Sequence, residues 1–201
     1  MVAEVYGWDN LIYSLAKVSV VMKDGAASFD TGVARMEFGE KKNEAPYTPR
    51  VQAVKTLFES AGIRAVIPED MERAIWYKYM CNVSENQSAA VLGIPFGAWQ
   101  VSEHANFIRE ALMREVMAVA VKKGIDLSEK DIVMQREVLA RMTAVNKPST
   151  LQDIEAGRKT EVDMFGGTMM RLGRQLGVPT PYNDMFYHAI RTLEEKNDKL
   201  F

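Results

Sequence analysis

One stretch decides how the rest of the chain is interpreted: Trp76-Tyr77-Lys78-Tyr79-Met80-Cys81-Asn82-Val83-Ser84-Glu85-Asn86. We interpret it as the first turns of a helix. At about 3.6 residues per turn, Lys78, Asn82 and Asn86 (the site column) stand one above another, each about 40° round from the last. Ile75 and Ala89 fall in the same sector, so the column does not lie in an obviously solvated stripe. One lysine and two carboxamides in fixed register can grip a small oxygen-rich ligand and give it a proton.

The ordinary explanation for such a column is a solvated helix face, because charged and polar side chains usually lie outside. Two features favour a site instead. Asparagine is a poor helix former, so two asparagines at helical spacing need some compensating role. The other residues of the sector are apolar. On the residues alone, both interpretations stay open.

Composition excludes several classes of protein. The 201 residues are 47% hydrophobic, which is ordinary for a globular protein with a real core. The net charge is −2, from 25 basic and 27 acidic residues, with no long run of either sign. Nucleic acid or an anionic membrane would call for a basic face, so neither is expected as a partner.

The reactive and targeting residues are few. Cys81 is the single cysteine and cannot form an intramolecular disulfide, and His104 and His188 lie far apart in sequence, so no metal site is expected. No apolar run reaches transmembrane length, and residues 1–4 lack the basic start of a signal peptide. These features predict a soluble cytoplasmic protein.

The chain changes character near Pro68, where we place a domain boundary. Residues 11–22 are rich in β-branched and apolar side chains, Lys23-Asp24-Gly25 is a turn signal, and alternation follows over 33–39. This pattern predicts a meander of two or three strands, then a helix over 49–61 and a short strand over 63–68. Residues 1–67 are therefore predicted as β-β-β-α-β, and the overall fold class as α+β.

Residues 68–201 are predicted to be entirely helical, with caps marking the helix starts. The expected helices are 69–92, 103–123 after the N-cap Ser102, 128–145 with a capping box of Ser128 and Asp131, a short helix capped by Ser149, 160–176, and a last helix to 196 capped by Asn183. Gly166 and Gly167 fall inside the fifth helix, where each costs about 1 kcal/mol relative to alanine. They indicate close approach of another backbone, another helix or a ligand.

Three motifs in order resemble the ketopantoate reductase family. The first is Trp76-x-Lys78-x3-Asn82-x3-Asn86, and the second runs from Ser149-Thr150-Leu151-Gln152-Asp153-Ile154 to Thr160-Glu161-Val162-Asp163 and Gly166-Gly167. The third is Gly177-Val178-Pro179-Thr180-Pro181-Tyr182-Asn183. The resemblance covers residues 69–196. Without it, Ser149 is explained as a helix cap and Glu161 by the helix dipole.

The resemblance implies an NADPH-dependent 2-dehydropantoate 2-reductase, which reduces ketopantoate to pantoate in pantothenate and coenzyme A biosynthesis. In that family a Rossmann domain binds NADP, and a helical domain resembling the C-terminal domain of 6-phosphogluconate dehydrogenase closes the active site. By resemblance, Lys78 is the general acid, Asn82 and Asn86 hold Lys78 and the substrate oxygens, and Ser149 contacts the substrate carboxylate. Glu161 accepts a hydrogen bond from the substrate hydroxyl or from Lys78.

The sequence departs from the family pattern in two places. Phe96 occupies the position where some members place a further substrate-binding asparagine, so another branched 2-oxoacid stays open as the substrate. No G-x-G-x-x-G or G-x-x-x-x-G-K-[ST] is present, so the cofactor-binding residues are unknown and residues 1–67 are interpreted as the remnant of a nucleotide-binding domain.

These departures lead to further expectations. We expect the isolated chain to have negligible reductase activity. The alternative functions are a non-catalytic helical dimerisation module and one subunit of a split reductase. A meander without the rest of its sheet leaves unpaired edges and an uncovered apolar face, so we expect a homodimer or a larger homo-oligomer.

Overall fold

The computed structural model describes residues 2–18, 20–23, 25–29 and 34–201. Its contacts separate two units, Met1–Ile75 and Trp76–Phe201. Asp24 of the predicted turn and Val33 of the predicted alternating segment lie outside the described residues. Among the described residues, no helix combines the length and the apolar character that crossing a membrane requires.

The first unit is a mixed α and β structure. Its elements are α1 (Val2–Tyr6), a 3-10 turn (Trp8–Asn10), β1 (Tyr13–Lys17), β2 (Val20–Lys23), β3 (Ala26–Phe29), β4 (Arg35–Gly39), α2 (Pro49–Ser60) and β5 (Ala65–Val66). Strands β2 and β3 form a separate antiparallel pair in which Lys23 lies opposite Ala26.

The strand pairing differs from the predicted meander. Strand β1 pairs antiparallel with β4, with Tyr13 opposite Gly39, and β5 pairs parallel with β4 on its other edge. Pairing with the distant β4 places Lys17 2.8 Å from the Glu37 carboxylate, which also lies 2.9 Å from Arg35 on its own strand. Burial alone would raise the pKa of Glu37, but the bonds from Lys17 and Arg35 hold it below its usual value.

The second unit is helical, as predicted. Helix α3 (Met71–Leu92) begins in the first unit and continues into the second. The second unit also contains α4 (Ala98–Val101), α5 (Glu103–Lys122), α6 (Glu129–Leu139), α7 (Ser149–Glu155), a π-helical turn (Asp163–Gly167), α8 (Thr168–Leu176) and α9 (Pro181–Asn197). Its largest apolar cluster is formed mainly by α3 and α5 and includes Met80, Val83, Met113, Val116, Val119, Ile132, Phe165 and Met169. The α+β class and the helical C-terminal part are thereby confirmed.

Two of the predicted helix starts are confirmed in atomic detail. The Ser102 hydroxyl accepts a hydrogen bond from the Ala105 N–H at 3.2 Å, which is the expected N-cap of α5. At the start of α6, the Ser128 N–H donates to the Asp131 carboxylate at 2.8 Å. Helix α6 ends at Leu139 rather than at Val145. It stops because the following loop turns back, and its Ala144 and Asn146 carbonyls accept the N–H groups of Gly97 and Phe96 at 2.8 and 2.9 Å.

The predicted caps at Ser149 and Asn183 are wrong. Pro148 precedes the first residue of α7, so Ser149 lies inside the helix and its hydroxyl points elsewhere. Helix α9 likewise starts at Pro181, which makes Asn183 its third residue. Glu115 from α5 accepts the N–H groups of Tyr182 and Asn183 at 2.8 and 2.9 Å. A carboxylate from another helix therefore accepts hydrogen bonds from the N–H groups that a local cap would otherwise satisfy.

The predicted helix over 160–176 is also wrong at its start, because the π-helical turn precedes α8. Gly166 lies on this turn against α3 and α9. A Cβ at Gly166 would lie 2.5 Å from the Gln87 Oε1 atom and 2.8 Å from the Tyr187 Cβ atom. At Gly167 the nearest atom would be 3.4 Å away, which is ordinary contact. Close approach of other helices therefore explains Gly166, whereas Gly167 has room for a methyl group.

Candidate active site

The site column lies on α3, and its burial increases along the helix. Lys78 and Asn82 are half-buried, and Asn86 is only 8% exposed. The polar column therefore does not form a solvated helix face. Among the described residues, no hydrogen bond is formed by the Asn82 carboxamide, so its donors and acceptor are available to a ligand.

Asn86 has a fixed orientation. Its Oδ1 atom accepts hydrogen bonds from the Ser149 hydroxyl at 3.0 Å and from the Thr150 N–H at 3.1 Å. A backbone N–H can only donate, so the atom facing Thr150 must be the carboxamide oxygen rather than the nitrogen. No group in the described part of the chain accepts a hydrogen bond from Asn86 Nδ2. The two N–H donors of a nearly buried carboxamide are thus left for a ligand oxygen.

Asn86 and Ser149 are 63 residues apart in the sequence, and the packing of α7 against α3 brings them together. Thr150 and Leu151 are 1% and 2% exposed, and Leu151 belongs to an apolar cluster with Ala89 of α3. This cluster presses the first turn of α7 onto α3. Ser149 itself is exposed, and it gives its single hydroxyl hydrogen to Asn86. Its oxygen can still accept a hydrogen bond from a ligand.

Glu161 lies on the segment that precedes the π-helical turn and is exposed. Its carbonyl accepts the N–H groups of Met164 and Phe165 at 2.9 and 3.2 Å, whereas the hydrogen bond of the π-helical turn runs from the Gly167 N–H to the Val162 carbonyl at 3.1 Å. Tyr79 on α3 donates its hydroxyl hydrogen to the Phe165 carbonyl at 2.9 Å. Within the described residues, no hydrogen bond connects the Glu161 carboxylate to Asn86 or Ser149. The structure therefore joins Asn86 with Ser149 and does not join Glu161 to them.

A second polar column runs beside the first on α3, at Tyr77, Cys81 and Glu85 (the buried column). The Tyr77 hydroxyl donates to Gln135 Oε1 at 2.7 Å, and Gln135 Nε2 donates to Glu85 Oε1 at 2.7 Å. Arg109, fully buried, lies 3.9 Å from the same Glu85 oxygen. Burial raises the pKa of Glu85 to about 7, against the opposing effects of Arg109 and Gln135.

Little in the sequence distinguishes this buried column. Its only sequence signal is that Tyr77, Cys81 and Glu85 share the helical spacing of the site column. Spacing does not reveal that Gln135 and Arg109 come from α6 and α5 to satisfy it. Because its partners belong to the protein, the column stabilises the fold rather than offering groups to a ligand.

Phe96, which stands where some family members place asparagine, packs inward. Its ring meets that of Trp99 edge-to-face with centroids 5.7 Å apart, and it is partly buried against the cluster around Leu139 and Leu151. The side chain therefore contributes apolar surface beside α7 and no hydrogen bond.

The described residues do not fit a dinucleotide. A pyrophosphate needs a glycine-rich turn between a strand and a helix. The connection from β4 to α2, residues 40–48, contains no glycine, and neither does the connection from β5 to α3, residues 67–70. No residue of the chain is therefore assigned to NADP. Within the described ranges, no three His, Cys, Asp or Glu side chains are grouped as metal ligands.

Comparison with known proteins decides the family. The model described as "Ketopantoate reductase PanE/ApbA C terminal" matches residues 70–194, which is more than half of the chain. The chain belongs to the ketopantoate reductase family. The match spans the site column, Ser149 and Glu161.

Relatives within the family are moderately similar. A 2-dehydropantoate 2-reductase of Pyrobaculum aerophilum is 33% identical over 146 residues, which cover 72% of this chain and 51% of the relative. One from Halobacterium salinarum is 29% identical over 175 residues, covering 85% of this chain and 55% of the relative. The chain thus spans about half the length of the curated relatives it matches.

Solved structures share the fold. The 2-dehydropantoate 2-reductase of Methylococcus capsulatus is 25% identical with a TM-score of 0.81, over 98% of this chain and 62% of that one. A complex of D-mandelate dehydrogenase with NADH superposes with a TM-score of 0.84 at 20% identity, over 100% of this chain and 67% of that one. At that identity the second likeness concerns the fold alone.

Proposed function

We propose that the helical unit forms the substrate-binding and proton-donating part of an NADP-dependent 2-dehydropantoate 2-reductase, which reduces ketopantoate to pantoate. Family membership supports the reaction. The observation that carries the proposal is the orientation of Asn86, whose oxygen is held by Ser149 and Thr150 so that its N–H donors are left for a ligand. A 2-oxoacid offers carbonyl and carboxylate oxygens to such donors.

Lys78 is proposed as the general acid. Reduction of a ketone adds a hydride to the carbonyl carbon and a proton to the carbonyl oxygen. An ammonium group can give that proton, and its charge stabilises the alkoxide that develops before transfer. Lys78 is half-buried, which strengthens such an interaction relative to bulk water. The hydride carrier is not assigned to residues of this chain, so only the proton side is derived.

The other residues are proposed to bind the substrate. Asn82 and Asn86 donate hydrogen bonds to the substrate oxygens and hold Lys78 in place on the same face of α3. Glu161 accepts a hydrogen bond from the hydroxyl group of ketopantoate or from Lys78. Ser149 acts on the substrate carboxylate through Asn86, because its own hydroxyl hydrogen is already donated to Asn86 Oδ1.

The first unit is proposed to belong to a nucleotide-binding domain, with residues 1–67 as its remnant and 68–201 as the helical domain. In support, β4, α2 and β5 form a strand–helix–strand unit with parallel strands, which is the building block of Rossmann-type folds. We further propose a homodimer in the cytoplasm. A ketopantoate reductase of the same fold from Staphylococcus aureus, 18% identical, is described as dimeric.

The first experiment measures ketopantoate binding to the purified chain by calorimetry without cofactor. We expect saturable binding, weakened at least about 10-fold by Asn86→Ala, since a buried donor to a ligand oxygen is lost. Lys130→Ala, which removes an exposed lysine on α6, is the control and should leave the affinity for ketopantoate unchanged. Absence of ketopantoate binding to a folded chain would contradict the proposal, and self-association without binding would instead favour a dimerisation module.

The second experiment follows NADPH oxidation with ketopantoate in a polypeptide that joins this chain to a nucleotide-binding domain of the family. Lys78→Ala should lower the rate by about 100- to 10,000-fold, the usual contribution of a general acid, while Lys130→Ala leaves it within about 2-fold. If Lys78→Ala turned over at nearly the wild-type rate, Lys78 would not be the acid. Comparing NADPH with NADH in the same assay tests the cofactor preference.

A further inference from the structure

The residue before Glu161 is held by a distant carboxylate. The Thr160 N–H and the Thr160 hydroxyl both donate to the Glu194 Oε1 atom of α9, at 2.7 and 2.8 Å. The Thr160 oxygen in turn accepts the Val162 N–H at 3.3 Å. Thr160 is thus fixed through its backbone and its side chain by one group that lies 34 residues away in the sequence.

Glu194 is an unusual residue for this task, because a carboxylate that is only 2% exposed must be compensated. Its second oxygen accepts a hydrogen bond from Arg191 Nη1 at 2.8 Å, one turn back on α9. Both oxygens therefore have partners inside the protein, and at 2% exposure the Glu194 carboxylate is not accessible to a ligand. A leucine at this position would fill the space without these demands.

The residue after Glu161 is fixed as well. Val162 is fully buried in an apolar cluster with Ala90 of α3 and Ile190 of α9. Glu161 thus stands exposed between two neighbours that the protein immobilises. The Val162 carbonyl accepts the Gly167 N–H at 3.1 Å and starts the π-helical turn, which is the kind of local departure from α-helix that recurs at functional sites.

We propose that Glu194 is a positioning residue, which holds the backbone at Thr160 so that the Glu161 carboxylate is presented to the substrate in a fixed place. This inference rests on the proposed function, in which Glu161 binds ketopantoate. Glu194 acts only through Thr160 and does not touch the substrate. It explains why a buried carboxylate occupies a place where an apolar side chain would pack without compensation.

A double-mutant cycle separates positioning from general support of the fold. The variants are Glu194→Leu, which removes the acceptor, and Glu194→Gln, whose amide oxygen can still accept both bonds from Thr160. Each is made alone and together with Glu161→Ala, which removes the proposed acceptor, and ketopantoate affinity is measured by calorimetry. We expect Glu194→Leu to weaken binding about 10-fold when Glu161 is present and less than about 2-fold when it is absent. Glu194→Gln should recover most of the loss.

Two further variants provide a control and a replacement for Glu194→Leu. Glu195→Gln changes an exposed carboxylate on the same turn of α9 and should leave affinity within about 2-fold of wild type. If Glu194→Leu does not fold, Thr160→Val replaces it in the cycle. This variant removes the hydroxyl that donates to Glu194 and accepts the Val162 N–H, and it keeps the bond from the Thr160 N–H to Glu194. An equal loss of affinity with and without Glu161 would overturn the proposal, because Glu194 would then serve the fold alone.

A separate measurement distinguishes failure of this inference from failure of the proposed function. If wild type binds no ketopantoate, backbone amide hydrogen exchange tests the positioning directly. Faster exchange at 160–162 in Glu194→Leu, with α6 unchanged, would support the hold on this segment. Unchanged exchange at 160–162 would overturn it.

Discussion

Helix α3 carries two polar columns with the same spacing and different hydrogen-bond partners. The buried column, Tyr77, Cys81 and Glu85, finds its partners in Gln135 and Arg109 of the same protein. The site column, Lys78, Asn82 and Asn86, is displaced from it by one residue, or about 100° of helix. Its last member, Asn86, uses its oxygen within the protein and keeps its two N–H donors available.

The comparison teaches that helical spacing identifies a polar column and does not say what it is for. A column that the protein itself satisfies stabilises the fold, since an unpaired buried polar group costs about 1–3 kcal/mol. The site column contains half-buried Lys78 and carboxamide donors that no described residue accepts, and these are the features of a binding site. Substitutions should therefore affect stability on the buried column and ligand binding on the site column.

The largest effect is expected from Arg109→Met on the buried side. Arg109 is fully buried, its Nη2 atom lies 3.2 Å from Glu110, and it faces Glu85 at 3.9 Å. Removing it leaves the buried Glu85 carboxylate without its cation, whereas Glu110 keeps its ion pairs with Arg114 and Arg136. The free energy of unfolding should fall by about 3–5 kcal/mol. Urea or thermal denaturation measures the loss.

Arg114→Met is the matched control for Arg109→Met. The Arg114 side chain is 45% exposed and pairs with Glu129 at 2.9 Å, so its loss should cost less than about 1 kcal/mol. If the two variants were equally stable, the ion pairs of the buried column would stabilise the fold no more than an exposed ion pair does.

A smaller effect is expected in the pH dependence of stability through Glu85. Burial raises its pKa from 4.5 in the unfolded chain to about 7 in the fold. The folded state then holds this proton more tightly, so the contribution to stability is complete below pH 4.5 and is lost as the pH rises to about 7. The slope in that window is at most about 1.4 kcal/mol per pH unit.

Glu85→Gln should remove this slope, because the amide keeps the oxygen that accepts from Gln135 but does not titrate. The measurement is the difference in unfolding free energy between wild type and variant at several pH values, which cancels the other titrating groups. A difference that stays constant from pH 4.5 to 7 would show that Glu85 is already ionised throughout.

The smallest effect is expected from Ser149→Ala on the site side. The variant removes one of the two hydrogen bonds that orient Asn86, while the Thr150 N–H continues to donate. Stability should fall by no more than about 1 kcal/mol, and ketopantoate affinity by a few-fold, since Asn86 can then rotate. Ser102→Ala, which removes the cap of α5, should lower stability without changing affinity. Equal affinity in Ser149→Ala and wild type would mean that Ser149 does not orient Asn86.

Most of the helices follow from the sequence alone, and the errors have a common cause. The starts at Ser102 and Ser128 are local, since the capping groups lie within three residues of their partners. The predicted caps at Ser149 and Asn183 fail because their hydrogen bonds are made with Asn86 and Glu115 on other helices. The predicted meander holds for the consecutive strands β2 and β3 and fails for β1, which pairs with the distant β4.

The sequence by itself determined the helical domain, the spacing of Lys78, Asn82 and Asn86, and the motifs that mark the family. These features depend on neighbours within one or two turns of helix. Only the tertiary structure decided that Asn86 is oriented by α7 and that Glu194 holds Thr160. Such bonds join residues that are far apart in the chain, and the burial of apolar faces between helices, rather than local preference, brings them together.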